Sequence, residues 1–261
     1  MSAWPVEPSV SLPIMIAAVV YLRGWHRLRQ RLPRRFEMHH ATMFLTGLAI
    51  LLLALAAPVE RLTHQFLSAH MVQHLLLMVV VAPMLWMSAP VTPLFVGLPR
   101  PIRGILLALT HQPDVRRLTR WCLHPSVGWI AFAASFWIWH APALYDLALR
   151  ADRWHHVEHA CFLVSGLLFW RPVILPWPAR STWPRWSMIP YLALAMFQSL
   201  PLAAILTFSD RVIYASYSSL DDQAFAGALM WVPGSIPLLL PILSLVIEVS
   251  SGHVDIEKSH A

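Results

Sequence analysis

His70 and His74 open an apolar run that continues to about Met87, and their i, i+4 spacing sets both imidazoles on one helix face, ~6 Å apart along the axis. An apolar run of that length reads as a membrane-spanning helix. Ionisable groups at membrane depth are costly and face a bundle interior or a water-filled cavity. A second pair with the same spacing, His155 and His159, stands in Trp154-His155-His156-Val157-Glu158-His159, and His140 follows Trp139 just before Ala141-Pro142. Met71 and Met78 add thioethers beside the first pair, Met78 being i+4 from His74. Imidazole binds Cu(I) or Cu(II), and thioether selects Cu(I). Glu158 is placed to orient a ligating imidazole. Zinc also accepts histidine and carboxylate, so ligand type alone leaves the metal open.

These residues need helices to carry them. The 261 residues are 57% hydrophobic and only 12% charged, about half the charge of a soluble domain. The composition reads as an all-α integral membrane protein, one polytopic domain over residues 1–261 with a polar tail at 249–261. Hydropathy gives about seven spans, at residues 10–25, 40–57, 66–87, 125–140, 155–170, 186–208 and 223–249. Pro83, Pro201, Pro233, Pro237 and Pro241 are expected to interrupt them. Residues 91–123 are too broken for a span, but 102–109 suits a short helix on the membrane surface. The first eleven residues carry no basic side chain, so residues 12–22 read as the core of a span rather than a cleaved signal.

The net charge of +6 is not a nucleic-acid signature, because the basic residues are almost all arginines beside apolar segments. They cluster after the first span (Arg23 to Arg35), the third (Arg100 to Arg120) and the fifth (Arg171, Arg180, Arg185). The positive-inside rule then puts the N-terminus outside and the C-terminus inside. With that orientation His70, His74, His140, His155 and His159 gather at the outer face, joined by Glu158, by Asp222 and Gln223 at the start of the last span, and by Met230 two turns deeper. His39, His40, His111 and His124 fall on the inner side without comparable spacing. Each feature also has a simpler reading. One histidine pair is as readily a packing feature, methionines are usually apolar filler, and Asp222 suits a helix N-cap. His64, His156 and most tryptophans (Trp137, Trp139, Trp154, Trp170, Trp186) suit the membrane interface. Cys122 and Cys161 form no metal or redox motif, and they fall on opposite sides of the membrane in this topology.

The stretches HMVQHLLLMVVVAPML, WHAPALYDLAL, HHVEHACFLVSGLLFWRPVI and DQAFAGALMWVPG occur in that order. Together they resemble the CtaG family of polytopic cytochrome c oxidase assembly factors, over residues 66–237. The family's histidines correspond to His70, His74, His140, His155 and His159, and its acidic-glutamine motif to Asp222 and Gln223. The resemblance implies a role in maturing cytochrome c oxidase or another haem–copper oxidase of a bacterial cytoplasmic membrane, with copper supplied to the binuclear centre. The single-span copper chaperone that shares the CtaG name has a cysteine motif absent here.

The leading expectation is therefore a non-enzymatic assembly factor that receives copper from an external chaperone and passes it to an oxidase subunit within the lipid. No phosphate-binding glycine motif points to nucleotide use. A membrane cytochrome with bis-histidine haem is the alternative, although such haems take one histidine per helix rather than i, i+4 pairs. A copper permease is a third, against which the inner half offers no second tier of metal ligands.

Overall fold

In lipid the backbone can hydrogen-bond only to itself, so long apolar stretches coil. The computed structural model describes residues 8–181 and 183–251, and these are helical with no strand among them. In chain order the helices are α1 (Pro8–Arg31), α2 (Met38–Ala54), α3 (Ala57–Thr63) and α4 (Leu67–Leu75). A π-helical turn (Leu76–Val81) joins α4 to α5 (Ala82–Met87). Then come α6 (Val91–Gly97), α7 (Arg100–His111), α8 (Pro113–Cys122), α9 (Pro125–Trp139), α10 (Pro142–Arg150) and α11 (Asp152–Ile174). A 3-10 turn (Arg185–Ser187) leads into α12 (Met188–Phe208), and α13 (Leu220–Ser250) follows. Five helical stretches are long and apolar enough to cross a membrane, and counting two bent pairs as spans brings the number to seven.

The bends have local causes. α9 stops at Trp139 because Pro142 disfavours helical backbone at Ala141, which sits extended at ψ 126°. α10 then leaves at 76° to α9. The expected second span, 40–57, corresponds to α2, and α3 continues beyond it at 53°. The expected proline interruptions are fewer than the prolines: α12 continues through Pro201, and α13 through Pro233, Pro237 and Pro241. Those last three are spaced i, i+4, i+8, so the missing N–H groups fall along one helix face and leave the rest of the ladder intact.

Pro83 acts differently. In π-helical register its missing N–H deprives the Met78 carbonyl of a donor, and the Trp170 indole supplies one at 2.9 Å. Trp170 is thus buried in the core, as is Trp139, and neither is the interface anchor that composition suggested. Gly166 lies one turn before Trp170. A Cβ there would meet the Met78 carbonyl oxygen at 3.0 Å and the Ala82 Cβ at 3.2 Å, so α11 rests directly on the backbone of the α4–α5 span. The Trp86 indole closes the same seam by donating to the Leu167 carbonyl at 2.7 Å.

α1 runs past the expected residue 25, since no proline stops it before Pro33. It meets α6 where Gly24 and Gly97 let the two backbones touch. Residues 91–123 form no span. α7 and α8 bury no residue and leave Ile102, Ile105, Leu106, Leu118 and Trp121 exposed. The expected polar tail from residue 252 lies outside the described residues, as do residues 1–7.

α11 carries His155 and His159 near its start and Arg171 near its end, so the positive-inside rule opposes the histidine end to the cytoplasm. Reporter fusions after Arg35, Arg117 and Arg180 are expected to read cytoplasmic, and fusions near Arg61, Asp152 and Ser218 external. A cytoplasmic reading at Asp152 would overturn this orientation.

Candidate metal centre

The Gly166 contact fixes the α4–α5 span against α11, and both histidine pairs face that seam. His70, His74, His155, Glu158 and His159 are all at most 5% exposed. One ligand atom each from His70, His155 and His159 lies within 4.8 Å of the others, and the same holds for His70, His74 and Glu158. Glu158 sits between the pairs, its oxygens 3.6 Å from His70 Nε2 and 3.5 Å from His74 Nε2, both beyond a good hydrogen bond.

Second nitrogens and neighbours fix the tautomers. Gln73 donates from Nε2 to the Ala54 carbonyl at 2.7 Å, which turns its oxygen to His159 Nε2 at 3.0 Å. The His159 proton therefore sits on Nε2 and the lone pair on Nδ1. His155 Nδ1 faces Glu60 at 3.5 Å, also longer than a good hydrogen bond, and its Nε2 has no partner. His70 Nδ1 lies 2.7 Å from the Tyr145 hydroxyl and 3.2 Å from that of Tyr217, and Tyr217 donates onward to the Thr63 carbonyl at 2.6 Å. A chain running from His70 N–H to Tyr145, on to Tyr217 at 3.4 Å and to Thr63 is one arrangement that satisfies every member, and it leaves the His70 Nε2 lone pair free. Burial raises the phenol pKa values of Tyr214 and Tyr217 in the 209–219 loop, so both remain hydrogen-bond donors.

The result is a set of inward-facing atoms without hydrogen-bond partners: His70 Nε2, both nitrogens of His74, His155 Nε2, both oxygens of Glu158 and His159 Nδ1. An unpaired buried polar atom costs about 1–3 kcal/mol. Two groups of three donors sharing His70, one of three imidazoles and one of two imidazoles and a carboxylate, each have a spacing that fits a first-row metal ion, and the outer hydrogen bonds are of the kind that orient metal-bound histidines.

The other sequence candidates stand elsewhere. His140 belongs to neither group. It donates from Nδ1 to the Phe136 carbonyl at 2.7 Å, and its Nε2 lies 3.4 Å from Met71 Sδ. Met78 and Met230 line a cavity beside Met71 and His140. Asp222 does not cap its own helix, a task that falls to Ser219. Phe66 has no side-chain acceptor for the start of α4, and Asp222 provides it from α13. Its carboxylate accepts from the Leu67 N–H at 2.6 Å, from the Ser68 N–H at 3.4 Å and from the Ser68 hydroxyl. Gln223 accepts from the Ile213 N–H at 2.7 Å and donates to the Arg211 carbonyl at 3.2 Å, pinning the loop that carries Tyr214 and Tyr217. Both residues hold the surroundings of the cluster and lie outside it. Of the inner histidines, His111 bonds its own helix at Leu107, and His124 caps α9 through the Ser126 N–H.

Sequence reasoning missed Glu60, Gln73, Tyr145, Tyr214 and Tyr217. Three of the chain's five tyrosines gather over His70 and His140, with Tyr145 stacked on Tyr214 at 4.0 Å and Tyr214 donating to the His140 carbonyl at 3.1 Å. Their scarcity elsewhere was the available signal. A crevice of about 230 Å3 also reaches the cluster from the side, walled by Ile14, Leu55, Glu60, Leu77, His156 and His159.

Fold and site together define a polytopic helical membrane protein with a buried histidine–carboxylate cluster. A family model for the cytochrome c oxidase caa3 assembly factor (Caa3_CtaG) matches residues 19–251, and the chain belongs to that family. Among similar proteins are uncharacterized proteins of Mycobacterium bovis and Mycobacterium tuberculosis, each 26% identical over 265 residues. One from Mycobacterium leprae is 23% identical over 264 residues. The alignments cover 94% of this chain and 39% of each relative, so the chain spans about two fifths of the length of the curated relatives it matches. No solved structure matches.

Asp222→Ala is expected to destabilise the protein by about 1–2 kcal/mol, the usual worth of an N-cap, and Asp222→Asn by less because Asn still accepts. Thermal unfolding in detergent checks this. Equal losses for both would show that the negative charge at the α4 N-terminus matters more than the hydrogen bonds.

Proposed function

We propose that this chain is a non-enzymatic assembly factor that holds copper as cargo for a haem–copper oxidase. The carrying observation is the pair of buried groups His70–His155–His159 and His70–His74–Glu158, each with ligand atoms within 4.8 Å of one another and with side-chain atoms that have no hydrogen-bond partner. Family membership supplies the oxidase client, and the chemistry of the donors suits copper. His70, His74, His155 and His159 are the ligand candidates. Glu158 supplies carboxyl oxygens beside His70 and His74, and His140 continues the histidine set towards α9. In this reading the protein is a single multi-pass domain of the bacterial cytoplasmic membrane. Its N-terminus is outside, its C-terminus inside and its cluster near the outer face. It receives copper from an external chaperone and passes it on by ligand exchange.

Metal analysis and an absorption spectrum of the purified protein test the reading. Copper without a Soret band is expected; a Soret band would mark a bis-histidine cytochrome instead. His74→Ala and His159→Ala each remove a converging donor and should weaken copper binding roughly tenfold or more, since affinity depends on ligand count and geometry. Cells carrying either change should assemble oxidase deficient in copper-dependent activity, partly restored by added copper. His111→Ala serves as the control. Parent-like copper binding and full oxidase activity in both variants would overturn the copper reading.

A further inference from the structure

His140 and Met71 meet in a way that packing alone does not explain. The His140 Nδ1 proton is committed to the Phe136 carbonyl, so Nε2 carries a lone pair. That lone pair faces the Met71 sulfur at 3.4 Å. Sulfur has no proton to offer, so two acceptors confront each other in a buried site. Methionine often fills cores without ligating, but filler does not require a thioether opposite an unprotonated ring nitrogen. Metal–nitrogen and metal–sulfur bonds of first-row ions run about 2.0–2.3 Å, and one shared ion holds such donors within about 4 Å of each other.

The surroundings agree. Met71, His74, Met78, His140 and Met230 line one cavity of about 40 Å3 between α4, α9, α12 and α13. A water needs roughly 10–15 Å3 measured this way, so an ion fits and a larger solute does not. No charged side chain lines this cavity, whereas Glu158 stands in the neighbouring cluster. Neutral thioether and imidazole donors suit a soft monovalent ion, and a carboxylate among imidazoles suits a borderline divalent one. His74 touches both places. Its Nε2 faces Glu158 at 3.5 Å, its Nδ1 is buried without a partner, and its ring lines the methionine cavity.

We propose that Met71 and His140, with Met78 and Met230, form a second station, selective for Cu(I) and joined to the histidine–carboxylate cluster through His74. The inference rests on the copper-cargo reading and assigns different ion charges to its two compartments. The test uses purified full-length protein in detergent under anaerobic conditions. Cu(I) affinity is measured by competition with bicinchoninate and Zn(II) affinity by competition with a chromophoric chelator. X-ray absorption then identifies the atoms around copper. Sulfur scatterers are expected around Cu(I). Replacing Met71, Met78 and Met230 together by Leu, which keeps their volume, should remove that sulfur signal and weaken Cu(I) at least tenfold, while Zn(II) changes less than twofold. Glu158→Gln should do the reverse and weaken Zn(II) more than Cu(I). Cu(I) ringed only by nitrogen and oxygen in the unaltered protein would overturn the second station while leaving the copper reading standing. An equal loss of both metals in a leucine variant that unfolds at the parent's temperature would do the same. Failure of the unaltered protein to bind either metal would bring down both. Because the scattering measurement needs no mutant, the outcome does not depend on the leucine variant folding.

Discussion

The site depends on the contact between Gly166 and the backbone at Met78. Lipid offers no hydrophobic drive to bring helices together, so small residues that permit close approach set their register. Here the approach is close enough that a single added carbon would press on the Met78 carbonyl. That carbonyl belongs to the turn widened ahead of Pro83, and the Trp170 indole on the same helix as Gly166 supplies its missing donor. Register, helix irregularity and indole bond form one unit. It lies a few turns from His74 and His159, and it makes two i, i+4 pairs on separate helices face one another.

The polar atoms around the site are sorted by direction. Those on the periphery are satisfied: Gln73 by the Ala54 carbonyl, Tyr217 by that of Thr63, Tyr214 reaching that of His140. Those pointing inward are not. A cluster evolved for packing would bond across its own centre, because leaving each buried group unpaired is destabilising. The protein instead orders the outer shell and holds the central His70, His74 and Glu158 atoms 3.5–3.6 Å apart, just beyond hydrogen-bond distance.

The spans, the histidine pairs and the family resemblance were legible in the sequence because they rest on short-range periodicity. His70 and His74 advertise their shared face by spacing, and Leu67–Met87 advertises its burial by composition. The remainder depended on distance in the chain. Asp222 binds the start of α4 from 155 residues away, and nothing local distinguishes that task from capping α13. Trp170 reads as an interface anchor until Met78 is known to need a donor. Glu60 and Tyr145 lie on short helices beyond the expected spans 40–57 and 125–140, where hydropathy marks no element. His140 stands apart from the two histidine groups because it comes from α9, and no periodicity along the chain encodes how α9 packs beside them.

The crevice beside His159 has a geometric consequence. One of its walls is α1, whose Leu12, Met15, Ile16 and Val19 are exposed and whose close backbone contact with the bundle is at Gly24 and Gly97, towards the opposite end. The helix is held along its inner face, where Tyr21 stacks on Phe44 and Ala17 and Ala18 pack on the core, and Val10 and Ile14 flank the opening. The cluster therefore has a doorway in the plane of the bilayer as well as a roof of tyrosines towards the end of the bundle.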